Sequence, residues 1–378
     1  MKRRSRGMSP STAGGQAPDT NGAIAGLLRD LAAVQTSRQS RWGYERAAEA
    51  IAALPAPIES FVRPDGSLRK IPNVGPSSTR VILEVLATGA SPTVQRAIAE
   101  SGRASEVEKG RALRGTFLSR AEVLAALGSR RLKGVSLHDY RGDLQMHSTY
   151  SDGSQTLDDI VTTGIARGYA FSAVTDHSHG LAIARGVSMA RLAKQHQEID
   201  RLNRKHTRRF RIIKGIEANI LADGTLDMTP AERRALELVV AAPHSALRSS
   251  ADQTPRLLAA VRARGVHILG HPRGRKYGVR AGVRADWDRI FAAAARATVA
   301  IEIDGDPRRQ DIDHELARRA LEAGCLFALD SDAHATDEWV FAETAVAHAR
   351  LAGIPAERVI NCWPLEFLLK WAADRSGR

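Results

Sequence analysis

The sequence predicts an α/β protein: a seven-stranded parallel (β/α) barrel preceded by a small all-α domain. From residue 141 onward, seven short apolar runs rich in Val, Ile and Ala alternate with amphipathic helical stretches. These runs end in His, Asp or Glu at a repeat of about one βα unit, which a sandwich does not produce. Before residue 141 the readable elements are helical.

The 378 residues are 43% apolar and 26% charged, which excludes wholesale disorder and leaves room for one large α/β domain plus a smaller one. No apolar stretch approaches the eighteen residues of a spanning helix. The start, MKRRSRGMSPSTAGGQAPDTNG, is basic with no apolar run behind it, so 1–21 reads as a disordered tail rather than a signal or anchor. Two cysteines, Cys325 and Cys362, exclude a disulfide framework and a thiolate zinc cluster, and the expected location is cytoplasmic. The net charge of +13 is concentrated early: residues 1–142 hold 22 Lys/Arg against 12 Asp/Glu, the remainder 33 against 30. A basic first third suits a polyanion partner, although an Arg-rich composition inherited from a GC-rich genome is the alternative.

Taking the elements in order, GAIAGLLRDLAAVQ and RWGYERAAEAIAAL read as helices, the second stopped by Pro55 and Pro57. Ile71-Pro72-Asn73-Val74-Gly75-Pro76 is a tight turn, with Ser77 and Ser78 as candidate N-caps. Val81, Ile82, Val85 and Leu86 then form a helical stripe ending at Gly89. A helix, a short hairpin and a helix place backbone N–H groups at a helix N-terminus, where a DNA phosphate fits. The DNA-contact candidates are Asn73, Val74, Gly75, Ser77 and Arg80; a plain αα-corner is the alternative. The predicted domains are 22–95 for this unit, 96–137 for a helical linker and 138–374 for the barrel.

The strand candidates are GDLQMH, FSAVTDH, RIIKGIEANI, LELVVAAPH, GVHILGHP, TVAIEIDG and CLFALDSDAH. From His147 through His177, Glu217, His244, His271, Glu302 and Asp332 the intervals are 30, 40, 27, 27, 31 and 30 residues. Side chains spaced in this way converge at one mouth of a barrel, where active sites lie. Imidazole mixed with carboxylate suits Zn, Mn or Fe, and so many ligands exceed the needs of one ion. Two or three ions together activate water and clamp both oxygens of a phosphoester displacement. Arg273 and Arg275, just after His271-Pro272, are placed to hold the substrate phosphate.

DLQMHSTYSDG, TDHS, GIEANI, HP and SDAH resemble the polymerase-and-histidinol-phosphatase (PHP) family of metal-dependent phosphoesterases. The likeness is greatest to the PHP domain of bacterial family X DNA polymerases, and covers roughly 138–372. It implies a distorted seven-stranded barrel with a trinuclear metal centre. The implied ligands are His147, Asp152, His177, Glu217, His244, His271, Asp332 and His334, with Glu217 bridging two ions and hydroxide from the cluster as nucleophile. Asp176 would hold an imidazole in its ligating tautomer. Where the family usually opens with His-x-His, Gln145 stands first, a weaker ligand, so two to three ions are expected. Residues 22–90 are similar to the helix-hairpin-helix domain of the same polymerases, with Asn73 where Gly is usual. Only about fifty residues separate the two matched regions, and no Asp-x-Asp pair precedes the barrel, so polymerase activity is not expected.

The leading expectation is a metal-dependent phosphoesterase acting on DNA in repair, as a 3′-to-5′ exonuclease or 3′-end-processing phosphodiesterase. The expected partner is DNA held without sequence reading, with no membrane and no obligate protein partner. The alternatives are a small-molecule phosphatase of the histidinol-phosphatase type and a DNA-binding protein with a degenerate barrel.

Overall fold

The structure, a computed structural model, describes residues 19–377. Most of the predicted basic tail, residues 1–18, lies outside the described residues. The chain is already helical at Thr20, and Asn21 is buried, with its amide donating to the Ala56 carbonyl at 3.0 Å and accepting from the Ile58 N–H at 2.8 Å.

The helical part comprises α1 (Thr20–Val34), α2 (Arg38–Ala52), α3 (Pro76–Thr88), α4 (Pro92–Ser101), α5 (Ala104–Ala112) and α6 (Arg120–Gly128). Ile24, Leu28, Leu31, Ala48, Ile51, Val81, Ile82, Val94 and Val107 close one apolar core, in which α1 is central. The segment 96–137, expected as a linker, is instead divided between two bodies. The end of α4, through Ala97 and Ile98, and α5, through Val107, complete the helical core, and α6 packs through Val123 and Ala126 on the barrel side.

The barrel strands are β1 (Gly142–Asp143), β2 (Phe171–Val174), β3 (Arg211–Asn219), β4 (Leu238–Ala242), β5 (Ile268–Leu269), β6 (Ala300–Asp304) and β7 (Leu326–Asp330). All are parallel and hydrogen-bonded in sequence order. The covering helices are α7 (Leu157–Ala166), α8 (Met189–Lys205), α9 (Pro230–Arg234), α10 (Thr254–Arg262), α11 (Trp287–Ala297), α12 (His314–Glu322) and α13 (Ala342–Ala352). A last helix, α14 (Leu365–Ser376), contributes Leu368 to the apolar cluster formed by Leu144, just after β1, and by Phe171, Ile213, Leu238, Ile268 and Ala328 from the strands. The barrel is nearly closed. Between β1 and β7 the join is a single bridge, Met146 to Ala333, just beyond the strand ends.

Several strands stop short of their predicted apolar runs. In 144–147 the chain exchanges ladder bonds for side-chain partners: the Leu144 N–H donates to Asp330 Oδ1 and the Met146 N–H to Thr175 Oγ1. Polar side chains thus replace the strand ladder where the chain turns into the mouth. Ser77 and Ser78, expected as N-caps, fall inside α3. Its N-cap is Gly75 and its first residue is Pro76, whose fixed φ and missing N–H suit that position.

Candidate metal centre

The mouth is built by the segments that follow the strands. Behind β1 the chain delivers His147, whose N–H donates to the Ala333 carbonyl at 2.8 Å. It then folds back so tightly that a Cβ on Gly153 would strike the His147 carbonyl, and this return presents Asp152 to His147. After β2 comes His177, bridged to Glu217 of β3, whose N–H donates to the Asp176 carbonyl at 3.1 Å. His244, His271 and the Asp332–His334 pair follow β4, β5 and β7. Asp332 and His271 hold positive φ values of 53° and 22°, backbone strain sustained where side chains are aimed into the mouth.

Glu217 is the hub. Its Oε2 lies 2.9 Å from His177 Nδ1 and 3.4 Å from His147 Nε2, and its Oε1 lies 2.8 Å from His271 Nε2 and 3.2 Å from His244 Nε2. Asp152 Oδ1 stands 3.6 Å from both His177 Nε2 and His334 Nε2. Asp332 Oδ1 is 3.0 Å from His147 Nε2. Three overlapping groups could each hold a cation: His147, Asp152, His177 and His334; His177, Glu217 and His244; His147, Glu217 and Asp332.

The orientation of these atoms tests the fit. His147 Nδ1, His177 Nδ1, His244 Nε2 and Glu217 Oε2 are buried and make no hydrogen bond, despite their close neighbours. Buried polar atoms are normally paired. Nitrogen and oxygen lone pairs that approach one another without pairing suit a shared cation. His147, His177, His244 and Glu217 therefore fit divalent metal ions.

The charge states agree. Burial raises Glu217, but His177 and His244 outweigh it and hold the carboxyl well below its usual range. Burial also raises Asp332, and Arg309 overrides it downward. Burial, helped by His177 and His334, lowers His147 and keeps its ring neutral. At the rim the balance reverses: burial lowers His334, but the facing Asp152 carboxylate and the charge of Asp332 bring it up to about 9. A metal entering there displaces a proton.

Two expectations need correction. Asp176 has no imidazole partner. Its carboxylate accepts from the Ser148 N–H at 2.8 Å, the Ser148 hydroxyl at 2.6 Å, and also from Ser151 and Gln195, so it braces the loop carrying Asp152. Imidazole orientation comes instead from Asn219 Oδ1, 3.3 Å from His244 Nδ1, and from the Asp332 carbonyl, 2.8 Å from His334 Nδ1. Asn219 was missed, although it stands two residues after Glu217 on one face of β3.

Arg273 and Arg275 are the second correction, because their charges are already consumed by structure. Arg273 pairs with Asp311 at 2.9 Å and Asp313 at 2.8 Å. Arg275 is buried against Phe117, pairs with Asp313 at 3.1 Å and donates to the Gln310 carbonyl at 2.6 Å. Arg309 is the guanidinium at the centre, 2.7 Å from Asp332 Oδ2 and 3.5 Å from Asp304 Oδ2. Nothing in the DPRRQ run distinguishes it from Arg308, which turns to Asp306 at 3.0 Å.

Gln145, expected as a weaker ligand, stands at the end of the first strand run. It is fully buried, and neither side-chain polar atom has a partner. Below the centre, Glu302 accepts from the His271 N–H. Burial, with Asp330 and Asp304 close by, raises the Glu302 carboxyl well above its usual range.

In the helical part, Asn73 takes the left-handed conformation at φ 66°, which Asn tolerates in place of Gly. Arg46 donates to its side chain. Val74 is half-buried and donates its N–H to the Ile71 carbonyl at 3.2 Å. Gly75 leaves α3 without a side-chain cap, and Ser77 and Arg80 are exposed beside that end. Phosphate could accept from such first-turn amides. Among the described residues no helix is long and apolar enough to cross a membrane.

Residues 19–91 match the helix-hairpin-helix domain family. Over 233 residues, 61% of this chain, the sequence is 35% identical to the DNA polymerase/3′-5′ exonuclease PolX of Bacillus subtilis, and it spans 41% of that protein's length. It is 30% identical over 239 residues to a probable phosphatase of Citrobacter koseri, covering 60% of this chain and 91% of that one. It is 28% identical over 241 residues to the probable phosphatase YcdX of Escherichia coli K12, covering 61% and 93%. Among solved structures, histidinol phosphate phosphatase of Lactococcus lactis, complexed with zinc, L-histidinol and phosphate, superposes with a TM-score of 0.44 at 18% identity, covering 57% of this chain and 94% of that chain.

Proposed function

This chain belongs to the PHP family of metal-dependent phosphoesterases, and from that premise we propose that it hydrolyses phosphodiesters at DNA 3′ ends, as a 3′-to-5′ exonuclease or end-processing enzyme. The observation that carries the reading is the helix-hairpin-helix domain tied by hydrogen bonds, through residues 118–119, to the barrel loop that carries Arg309. Asp19, at the start of α1, accepts from the Ser119 N–H at 2.9 Å, and Leu118 exchanges two hydrogen bonds with Gln310, next to Arg309. A domain suited to gripping a DNA backbone without reading bases is thereby tied to the loop that reaches the centre.

Two to three divalent ions, Mn, Zn or Fe, would be held by His147, Asp152, His177, Glu217, His244, His271, Asp332 and His334. Bound there, such ions supply Lewis acidity to the phosphoryl oxygens and a water acidified toward neutral pH. Glu217 would bridge two of them, one oxygen facing each pair of imidazoles. Asn219 and the Asp332 carbonyl keep His244 and His334 in the tautomers whose free nitrogens face inward. Arg309, paired with Asp332 and Asp304, would balance the carboxylates of the centre.

The test is hydrolysis of a 5′-labelled single strand and a recessed-3′ duplex with Mn²⁺, for the unaltered chain and Glu217→Gln. Laddered shortening from the 3′ end that is lost in the variant is the expected outcome. Intact DNA would defeat the reading.

The match along nearly the whole length of two phosphatases supports a second reading, a phosphatase of small phosphomonoesters. Salt separates the two: DNA processing weakens steeply as salt rises, whereas turnover of a small monoester does not.

A further inference from the structure

The loop 178–186 leaves the centre directly from His177 and returns to it. The Val187 N–H donates to the His177 carbonyl at 2.7 Å, and Ser178 bridges Val187. Inside the loop, Leu181 donates to Ser178 at 3.1 Å, Arg185 to Ala182 at 3.0 Å and Gly186 to Leu181 at 3.2 Å. Asp227, beyond β3, clamps it from outside by accepting from the Ser178 hydroxyl at 2.6 Å and the Gly180 N–H at 3.1 Å. The closure demands glycine, since a Cβ on Gly186 would overlap the Ser178 carbonyl.

At the tip of this pinned loop, Ile183 is 94% exposed while its neighbour Ala184 is buried. The other exposed large apolar side chains of the described residues reach at most 58%. Exposed His179 and Arg185 flank it. Six residue steps from His177 cannot exceed about 20 Å, and the closure shortens that distance. A DNA strand advances about 3.4 Å per nucleotide, so Ile183 stands within a few base pairs of a phosphate at the centre.

A branched apolar side chain exposed to water on a pinned loop, beside the cationic Arg185 and at the rim of a phosphodiester site, has one apolar surface to meet on a polyanion: the face of a base. We infer that Ile183 is a wedge that stacks on the terminal base pair of duplex DNA and splays the 3′ nucleotide toward the metal centre. Apolar side chains inserted at base steps unstack DNA in this way. Arg185 and His179 would meet the flanking phosphates. The inference rests on the proposed action at DNA 3′ ends and makes Ile183 a specificity-determining residue for duplex over single-stranded ends.

The test uses the full chain with Mn²⁺ and three substrates: a labelled single strand, the same strand in a blunt duplex, and bis(p-nitrophenyl) phosphate. Ile183→Ser is expected to keep the single-strand and small-diester rates within about twofold and to lose about tenfold on the duplex, equivalent to about 1.4 kcal/mol. Ile183→Leu should restore the duplex rate. Equal loss on all three substrates, or no loss on the duplex, overturns the wedge. A duplex with 2-aminopurine at the 3′ terminus gives a readout independent of cleavage. Its fluorescence should rise on binding the unaltered chain and not Ile183→Ser, and no rise overturns the wedge. A change from dimer to monomer in Ile183→Ser on sedimentation would overturn it in favour of self-association. Turnover of the small diester with intact DNA of every form defeats the DNA reading itself, which is a different result from a duplex-specific null.

Discussion

Arg309 offers the sharpest test of how the centre is balanced. Its guanidinium lies 2.7 Å from Asp332 Oδ2, 3.5 Å from Asp304 Oδ2 and 4.0 Å from Asp306 Oδ2, with a quarter of the side chain exposed. Arg309→Met keeps the stem and removes the charge. One pair of unit charges about 4 Å apart at an effective dielectric of about 20 is worth about 4 kcal/mol. Removing one partner of a buried pair typically costs about 3–5 kcal/mol, and the open side of this one lowers the expectation to about 2–4 kcal/mol. For a domain of this size that corresponds to a melting shift of roughly 4–16 °C downward. A dication on Asp332 would replace the lost positive charge, so the shift in Mn²⁺ should be less than half that in EDTA. Thermal melts of both proteins in both buffers decide it. Equal shifts with and without metal would refute the idea that guanidinium and metal compensate the same carboxylates.

Gln145→His should raise bound metal by up to one ion per chain, or tighten the weakest ion at least about tenfold, because a buried amide with unpaired groups costing about 1–3 kcal/mol each is replaced by a ligand; elemental analysis and calorimetric titration check it. Arg275→Ala should destabilise the fold by about 2–4 kcal/mol, since it unpairs the buried Gln310 carbonyl and leaves Asp313 with one of its two guanidinium partners, yet leave KM for a phosphodiester unchanged. A raised KM with unaltered melting would return Arg275 to the substrate role. His196 carries a pH signature: burial, then Lys214, lowers it from 6.5 to about 4. Its folded value is depressed, so the associated stability is fully present above about 6.5 and is lost as the pH falls toward 4. After discounting for partial exposure, the loss is about 1–2 kcal/mol, absent in His196→Gln, and denaturant melts at pH 7 and pH 4.5 measure it.

The fold was legible because seven apolar runs at βα spacing leave few architectures, and residues such as Ile212, Val239 and Ile301 are buried as their runs require. The centre was legible for a related reason. Each strand ends at the same mouth, so residues about thirty positions apart become neighbours, and Glu217 lies within 3.4 Å of four imidazoles. Segment 96–137 was not legible as two structures, because α5 and α6 carry short apolar patterns whose partners, α1 and α13, lie far away in sequence.

The sequence by itself determined the barrel, the order of its strands and the set of His, Asp and Glu residues at the mouth, because periodicity and spacing are local properties. Tertiary structure alone decided the fate of each cation and each second partner. Arg273 and Arg275 sit beside His271 in sequence but are captured by Asp311 and Asp313, while Arg309, from another loop, reaches Asp332. The physical reason is that a long guanidinium stem goes wherever buried carboxylates are left uncompensated, and that balance exists only once distant loops have packed.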